Sequence, residues 1–209
     1  MVELSCECTG LGHRYRNNFL FRNLHFTAQT GQLMLFSGPN GSGKSTLLKL
    51  LSLGQEAWEG KLVFKKNGKE LEPDQIWNQI GFVAPYQDLP EDFSLLELVQ
   101  FQCALDGLNF SADGHLYKHY QQVFGLNKEG DKPLRNFSTG MKQKARFVLG
   151  LGSNRPIWIL DEPTSNLDEP AFNAFWNLID AERSQKLIFL ASNDPRELER
   201  ADLTVYLNT

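Results

Sequence analysis

Apolar residues in this chain fall into two kinds of run, short unbroken ones and longer ones at helical spacing. Leu33-Met34-Leu35-Phe36, Ile80-Gly81-Phe82-Val83-Ala84, Ile157-Trp158-Ile159-Leu160 and the stretch from Lys186 to Ala191 have the length and continuity of strands buried on both faces, as in a parallel sheet. Leu203 to Leu207 adds one more. Leu4 to Thr9 and Leu24 to Ala28 read as further strands, with His13-Arg14-Tyr15-Arg16-Asn17-Asn18 as a polar turn between them. Glu59-Gly60 leads into Lys61-Leu62-Val63-Phe64, and Lys66-Asn67-Gly68-Lys69 carries the Asn-Gly signal of a tight hairpin. Leu47, Leu48, Leu50, Leu51 and Leu53 crowd one helix so fully that it must be covered on several sides. From Ser94 to about Leu151 the spacing is helical, with Leu95, Leu98, Val99 and Phe101 on one face and a second helical stretch near Leu116 to Phe124. Pro170 opens a later helix whose stripe is Phe172, Phe175, Leu178 and Ile179. Alternating strands and helices predict an α/β fold: a mixed, mostly parallel core (1–87 and 152–209) with an antiparallel β part and an inserted helical subdomain (88–151).

Composition narrows this little. The 209 residues allow one large domain, and the hydrophobic fraction of 41% and charged fraction of 22% are those of an ordinary globular protein. A net charge of −4 argues against a general nucleic-acid binder. Cys6, Cys8 and Cys103 lack metal-ligand spacing, Cys6-Glu7-Cys8 should alternate faces of a first strand, and three unpaired thiols suit a reducing compartment. Met1-Val2-Glu3 opens without a basic or apolar leader, and no apolar run approaches the roughly 18 residues that cross a bilayer, so a soluble chain is expected.

The chemistry concentrates in two places. Gly38-Pro39-Asn40-Gly41-Ser42-Gly43-Lys44-Ser45-Thr46 fits G-x-x-x-x-G-K-[ST], placed between a buried strand and a buried helix as that loop requires. Its glycines let backbone N–H groups converge on phosphate oxygens while the helix presents its positive end. Lys44 should reach the β- and γ-phosphates, and the Ser45 hydroxyl should bind Mg²⁺. The second place is Asp161-Glu162, at the end of an apolar strand. A parallel sheet delivers ligands at the carboxyl ends of its strands, which brings Asp161 beside Ser45 to hold Mg²⁺. Glu162, one residue on, can polarise a water for attack on the γ-phosphate.

Asp161-Glu162-Pro163-Thr164-Ser165-Asn166-Leu167-Asp168 closely resembles the strand end and D-loop of ATP-binding cassette (ABC) ATPases. Phe137-Ser138-Thr139-Gly140-Met141-Lys142-Gln143 looks like a variant of that family's L-S-G-G-Q signature. Gln87 matches the Q-loop glutamine, and Tyr15 the aromatic residue that stacks on adenine. The resemblance covers essentially the whole chain in the right order. It implies an ATPase with ATP and Mg²⁺ as ligands, Gln87 as a Mg²⁺ or water contact, and Ser138 and Gly140 as contacts to the γ-phosphate bound by a second subunit. Thr139 and Met141 depart from the signature, but Ser138 and Gly140 are kept. Asn193 stands where the family places a histidine, and an amide can donate a hydrogen bond but carry no charge. Loss of one preorganised donor costs about 10²–10³ in rate, so hydrolysis by Glu162, Lys44 and Asn193 is expected to be slow, and Asn193→His should speed it.

The same resemblance implies a dimer with a second copy or a homologous subunit, driving an integral membrane permease from the cytoplasmic face. The stretch from Gln87 to Leu108 would line the docking groove, with exposed contacts among Leu89, Phe93, Leu95 and Leu96. Gly140-Met141-Lys142-Gln143 is similar to ATPases of small exporters and of the haem exporter used in cytochrome c maturation. A soluble cassette ATPase, as in iron–sulfur assembly, or a nucleotide-gated module that hardly hydrolyses are the competing readings.

Overall fold

The computed structural model describes residues 3–16 and 18–207, and Asn17, in the expected polar turn, lies outside them, as do Met1 and Val2. The elements in order are β1 (Leu4–Tyr15), β2 (Asn18–Gln29), β3 (Leu33–Ser37), α1 (Lys44–Leu51), β4 (Glu59–Lys66), β5 (Lys69–Glu70), α2 (Pro73–Trp77) and β6 (Ile80–Val83). Then come α3 (Leu95–Leu105), α4 (Phe110–Asp113), α5 (His115–Val123), α6 (Thr139–Leu151), β7 (Ile157–Asp161), α7 (Glu169–Glu182), β8 (Leu187–Ala191), α8 (Pro195–Leu198) and β9 (Leu203–Tyr206). They group into two compact units, one of Met1–Ile80, Pro156–Glu162 and Ala181–Thr209, the other of Gly81–Arg155 and Pro163–Asp180.

The first unit holds two sheets. One is antiparallel, in the order β2-β1-β4-β5, and the other contains the parallel run β7-β8-β3-β9. All five residues of β3, β7 and β8 are buried, as continuous apolar runs require. Between the sheets, Phe26 meets Phe36 with ring centroids 5.3 Å apart, and Phe64 sets its edge on Phe189 at 6.5 Å. Asn67 (φ 51°) and Gly68 (φ 76°) form the expected two-residue turn between β4 and β5.

Three local expectations are corrected. The segment from His13 to Asn18 is mostly strand, because β1 and β2 pair from Ser5↔Gln29 out to Tyr15↔Asn18 and leave only Arg16 and Asn17 between them. Leu53 lies outside α1: it takes a left-handed φ of 57°, while Leu53 N–H donates to Leu50 C=O and Gly54 N–H to Lys49 C=O, which closes the helix in a Schellman pattern. In the second unit Leu95, Leu98 and Val99 are buried but Phe101 is 61% exposed, so the buried face of α3 is narrower than the spacing suggests.

The second unit packs α3, α5, α6 and α7 around aromatic rings. Phe147 stacks on Phe124 at 4.9 Å and on Phe175 at 5.1 Å. Ser94 and Glu97 form a capping box at α3: Ser94 Oγ accepts from Glu97 N at 3.2 Å, and Glu97 Oε2 accepts from Ser94 N at 2.8 Å. Those bonds hold the Glu97 carboxyl below its usual range. No helix among the described residues is long and apolar enough to cross a membrane.

Cys6 and Cys8 both point inward from β1, and burial pushes both thiols up, Cys8 to about 12. Cys103 is buried too. Native protein should therefore show no thiol reactive toward a disulfide reagent at neutral pH, and three after denaturation. A thiol held neutral in the fold ionises first in the unfolded chain, from about pH 8.5. Stability should then fall as pH rises through 9 to 12, and urea midpoints across that range measure it.

Candidate functional site

Register across the parallel sheet assembles the site. Phe36 and Asp161 both lie opposite Ala191, so β3, β7 and β8 end level with one another. Each strand then hands on one functional segment: Gly38 to Thr46 after β3, Glu162 after β7, and Asn193 two residues after β8. The helix that follows the loop, α1, packs on β7 and β8.

The N-terminus of α1 is chemically bare. The side chains of Ser94, Asn109, Ser138 and Asp194 cap α3, α4, α6 and α8, but α1 begins after Gly43, as α5 does after Gly114, with no side-chain cap and no acid in its first turn. Its first amide groups therefore face outward unspent, with the helix dipole behind them. A phosphate chain fits such a cradle. Lys44 is nearly buried, its Nζ donating to the carbonyls of Gly38 at 2.7 Å and Pro39 at 3.3 Å, so the ammonium is held inside the loop. Gly38 has φ 147°, and any side chain there would strike the Leu207 carbonyl, whose own N–H donates to Ser37 C=O at 2.7 Å.

A cleft of about 380 Å³ opens over the loop, lined by Tyr15, Leu20, Asn40, Gly41, Gly43, Lys44, Ser45, Thr46 and Glu162. Seven of the ten core-unit positions named for ATP binding from the sequence (Tyr15 and Gly38 to Thr46) line it; Gly38, Pro39 and Ser42 do not. Ser42 is fully buried. Leu20 was not legible in the sequence, since nothing in an apolar β2 residue announces that the hairpin folds over the loop. A Cβ on Gly43 would sit 2.9 Å from Phe21 and 3.1 Å from Leu20, which shows how closely β2 presses there.

Glu162 shares this cleft, and its backbone takes a left-handed φ of 42°, held by Glu162 N–H donating to Ala191 C=O at 2.9 Å. A non-glycine residue in that region costs about 1–3 kcal/mol and persists where surrounding structure enforces it. Asp161 is 1% exposed, and Ser45 lines the cleft. Among the described residues no cluster of His, Cys, Asp and Glu could hold a metal by itself. A hydroxyl, a carboxylate and phosphate oxygens fit Mg²⁺, which takes few protein ligands beside phosphates. Asn193 meets the phosphate loop from below: its Oδ1 accepts from Gly38 N at 3.1 Å and from Ser37 Oγ at 3.3 Å. Tyr15 is half exposed, and hydrogen bonding to Thr46 and then Gln55, with the Lys49 charge nearby, pulls its phenol below the usual value against burial.

The remaining sequence-predicted residues belong to the second unit. Ser138 caps α6, its Oγ accepting from Met141 N at 3.2 Å, and Gly140 lies in the helix's first turn. Gln87 bonds locally, Oε1 accepting from Ala84 N at 2.8 Å. Two further residues stand out only in the structure: Gln143 donates to Pro163 C=O at 2.9 Å, and Arg146 donates to Gln87 C=O at 3.0 Å.

A glycine loop on an uncapped helix, a paired-acid strand end in the same cleft and a serine-led helix define a cassette-type ATPase. The chain belongs to the ABC transporter family, whose model matches residues 21–165. It is an ATP-binding, ATP-hydrolysing subunit of a transporter of that family. Among its relatives is "Cytochrome c biogenesis ATP-binding export protein CcmA 2" of Cupriavidus metallidurans, 29% identical over 186 residues that make up 89% of this chain and 87% of the relative. The CcmA protein of Bartonella henselae is 32% identical over 183 residues, 87% of this chain and 85% of the relative. A solved "ATP binding subunit of ABC transporter" superposes with TM-score 0.86 at 25% identity, covering 97% of this chain and 85% of the other.

Glu162→Asn tests the strained acid directly. Asn tolerates the left-handed region, so relief of about 1 kcal/mol should raise Tm by about 2–4 °C, while phosphate release falls to background. Calorimetry and a phosphate assay read the two effects separately.

Proposed function

We propose that this chain hydrolyses ATP in a pocket completed by a second protomer, and that the resulting closing and opening drives a membrane-embedded export subunit. The observation that carries the reading is the bare N-terminus of α1, opening into the cleft that also holds Glu162 and Tyr15. In this assignment the loop from Gly38 to Thr46 holds the phosphates through Lys44 and the backbone amides that its own internal bonds leave open, and Tyr15 stacks on the base. Ser45 and Asp161 are the Mg²⁺ ligands. The bound Mg²⁺ supplies charge neutralisation on the phosphates. Glu162 is the base that orients and deprotonates the attacking water.

Ser138 and Gly140 serve the partner's nucleotide. A capped helix tip with a free hydroxyl lone pair and outward amides is itself an anion site. The partner is a second copy or a homologous subunit. Differential affinity of the closed pair for the γ-phosphate then links hydrolysis to opening. Asn193, through Oδ1, steadies Gly38 and leaves its Nδ2 to donate toward the terminal phosphate.

Docking to the membrane subunit falls on the first helices of the second unit. Phe93 is 51% exposed, Phe101 61% and Leu105 65%, an apolar stripe on and before α3 that a soluble surface does not need. Leu95, expected among these contacts, is fully buried and drops out; Leu96 and Leu89 are half-buried. The names of the relatives support export as the direction and a haem-type exporter as the class, with the chain held on the cytoplasmic face through its permease. The negative net charge leaves nucleic acid out of this assignment.

Glu162→Gln with saturating MgATP should sediment as a dimer, and adding Ser138→Ala should return it to monomer. A Glu162→Gln chain that stays monomeric alongside any cognate protomer overturns the shared pocket, whereas recovery without any multi-span membrane protein favours a free-standing cassette. Turnover separates the role of Asn193. Asn193→His should hydrolyse faster than wild type if its ring nitrogen keeps the Gly38 N–H bond, and Asn193→Ala slower; a His variant no faster than wild type removes Asn193 as the cause of slow hydrolysis.

A further inference from the structure

The chain has four histidines, His13, His25, His115 and His119. The structure separates His13 from the others: His25, His115 and His119 are exposed, but His13 is only 6% exposed. The cause is in the strand. Pairing of β1 with β2 slips between Leu11 and His13 and again between His13 and Arg14, and such bulges re-aim side chains. His13 is thereby turned inward beneath Tyr15.

Two contacts connect the imidazole to the Tyr15 ring. The rings meet edge to face, with centroids 5.2 Å apart and planes at 80°. Gln55, in the loop after α1, bridges the same two residues through its amide: Nε2 lies 2.7 Å from His13 Nε2, and Oε1 accepts the Tyr15 hydroxyl at 3.4 Å. The tyrosine is therefore gripped on its edge and at its hydroxyl, from β1 and from the far end of the helix whose first turn forms the phosphate cradle.

We propose that His13 and Gln55 are positioning residues that hold the Tyr15 ring at the angle in which its open face receives the base of the nucleotide. This rests on the assignment of Tyr15 as the base-stacking residue. An exposed aromatic ring on a hairpin strand has several rotamers, and an unrestrained one pays to order itself each time a base binds. The imidazole and the amide remove that cost in advance, while contributing nothing to the phosphate contacts. They act through Tyr15 and do not touch the ligand.

The test compares MgATP with Mg-tripolyphosphate, which has the phosphates but no base, by titration calorimetry on the full chain. Gln55 is a half-buried loop residue, so Gln55→Ala should fold. It should weaken ATP by about threefold to tenfold, the worth of one or two modest hydrogen bonds, and leave tripolyphosphate within twofold. His13→Phe, which keeps an aromatic ring but not the ring nitrogen that meets Gln55, should behave the same way. Tyr15→Phe removes the shared hydroxyl, so adding Gln55→Ala to it should cost little more. If Gln55→Ala and His13→Phe bind ATP as wild type does while Tyr15→Ala binds weakly, the positioning role is wrong and stacking survives. If Tyr15→Ala binds ATP at wild-type strength, the stacking assignment itself fails, and this inference with it. If Gln55→Ala weakens ATP and tripolyphosphate equally, the residue merely supports α1, and the inference is again overturned.

Discussion

The site depends on a helix whose first turn is left without partners. Capping a helix N-terminus is worth about 1 kcal/mol, and the chain supplies side-chain caps at α3, α4, α6 and α8 but none at α1, nor at α5. The omission is stable only because the other side of α1 is saturated. Leu47, Leu48, Leu50 and Leu51 are at most 1% exposed, and the helix packs on β7 and β8. Burial of leucine at about 1.5–3 kcal/mol each exceeds the missing cap several-fold. Packing energy is thus what keeps an array of amide donors open for an anion.

Around that helix, each neighbouring strand end is tied to the loop through backbone. Asn193, after β8, takes the N–H of Gly38; the Gly38 carbonyl in turn takes the Lys44 ammonium. Ser37 C=O receives the N–H of Leu207, after β9. Glu162, after β7, is fastened to Ala191 on β8 and carries its strain there. A change at one strand end therefore reaches the others through one or two hydrogen bonds. Asn193 illustrates it: a side chain two residues beyond β8 holds both the last residue of β3 and the loop's first glycine.

Much of this was legible in the sequence, for identifiable reasons. Buried parallel strands are continuous apolar runs, so β3, β6, β7 and β8 could be placed, and the phosphate loop and Asp161-Glu162 follow from motifs whose spacing is the chemistry. Other features were not, because they depend on register or on a local left-handed residue. The inward turn of His13 follows from two slips in strand pairing, and β1 and β2 extend through residues whose polarity reads as turn. Leu53 has the apolarity of a helix residue but the conformation of a terminator. Phe101 follows helical spacing on α3 and yet faces solvent, since apolar spacing marks a face without saying whether the chain itself covers it. The uncovered part of the stripe is the surface that the docking proposal uses.

The second unit carries a parallel argument. Along α6, Ser138 sits at the tip, Gln143 holds the Pro163 carbonyl and Arg146 holds the Gln87 carbonyl. Gln143 is 1% exposed, and its own Oε1 accepts from Arg146 at 3.3 Å. Burial pulls the Arg146 guanidinium below its ordinary value, with Asp88 opposing. A buried amide and a partly desolvated cation, each spent on a backbone carbonyl, are expensive groups to place for structure alone. Their effect is to fasten the segment after β6 and the segment after Glu162 to one rigid helix. Force applied to the serine at its tip would then be felt at both segments together.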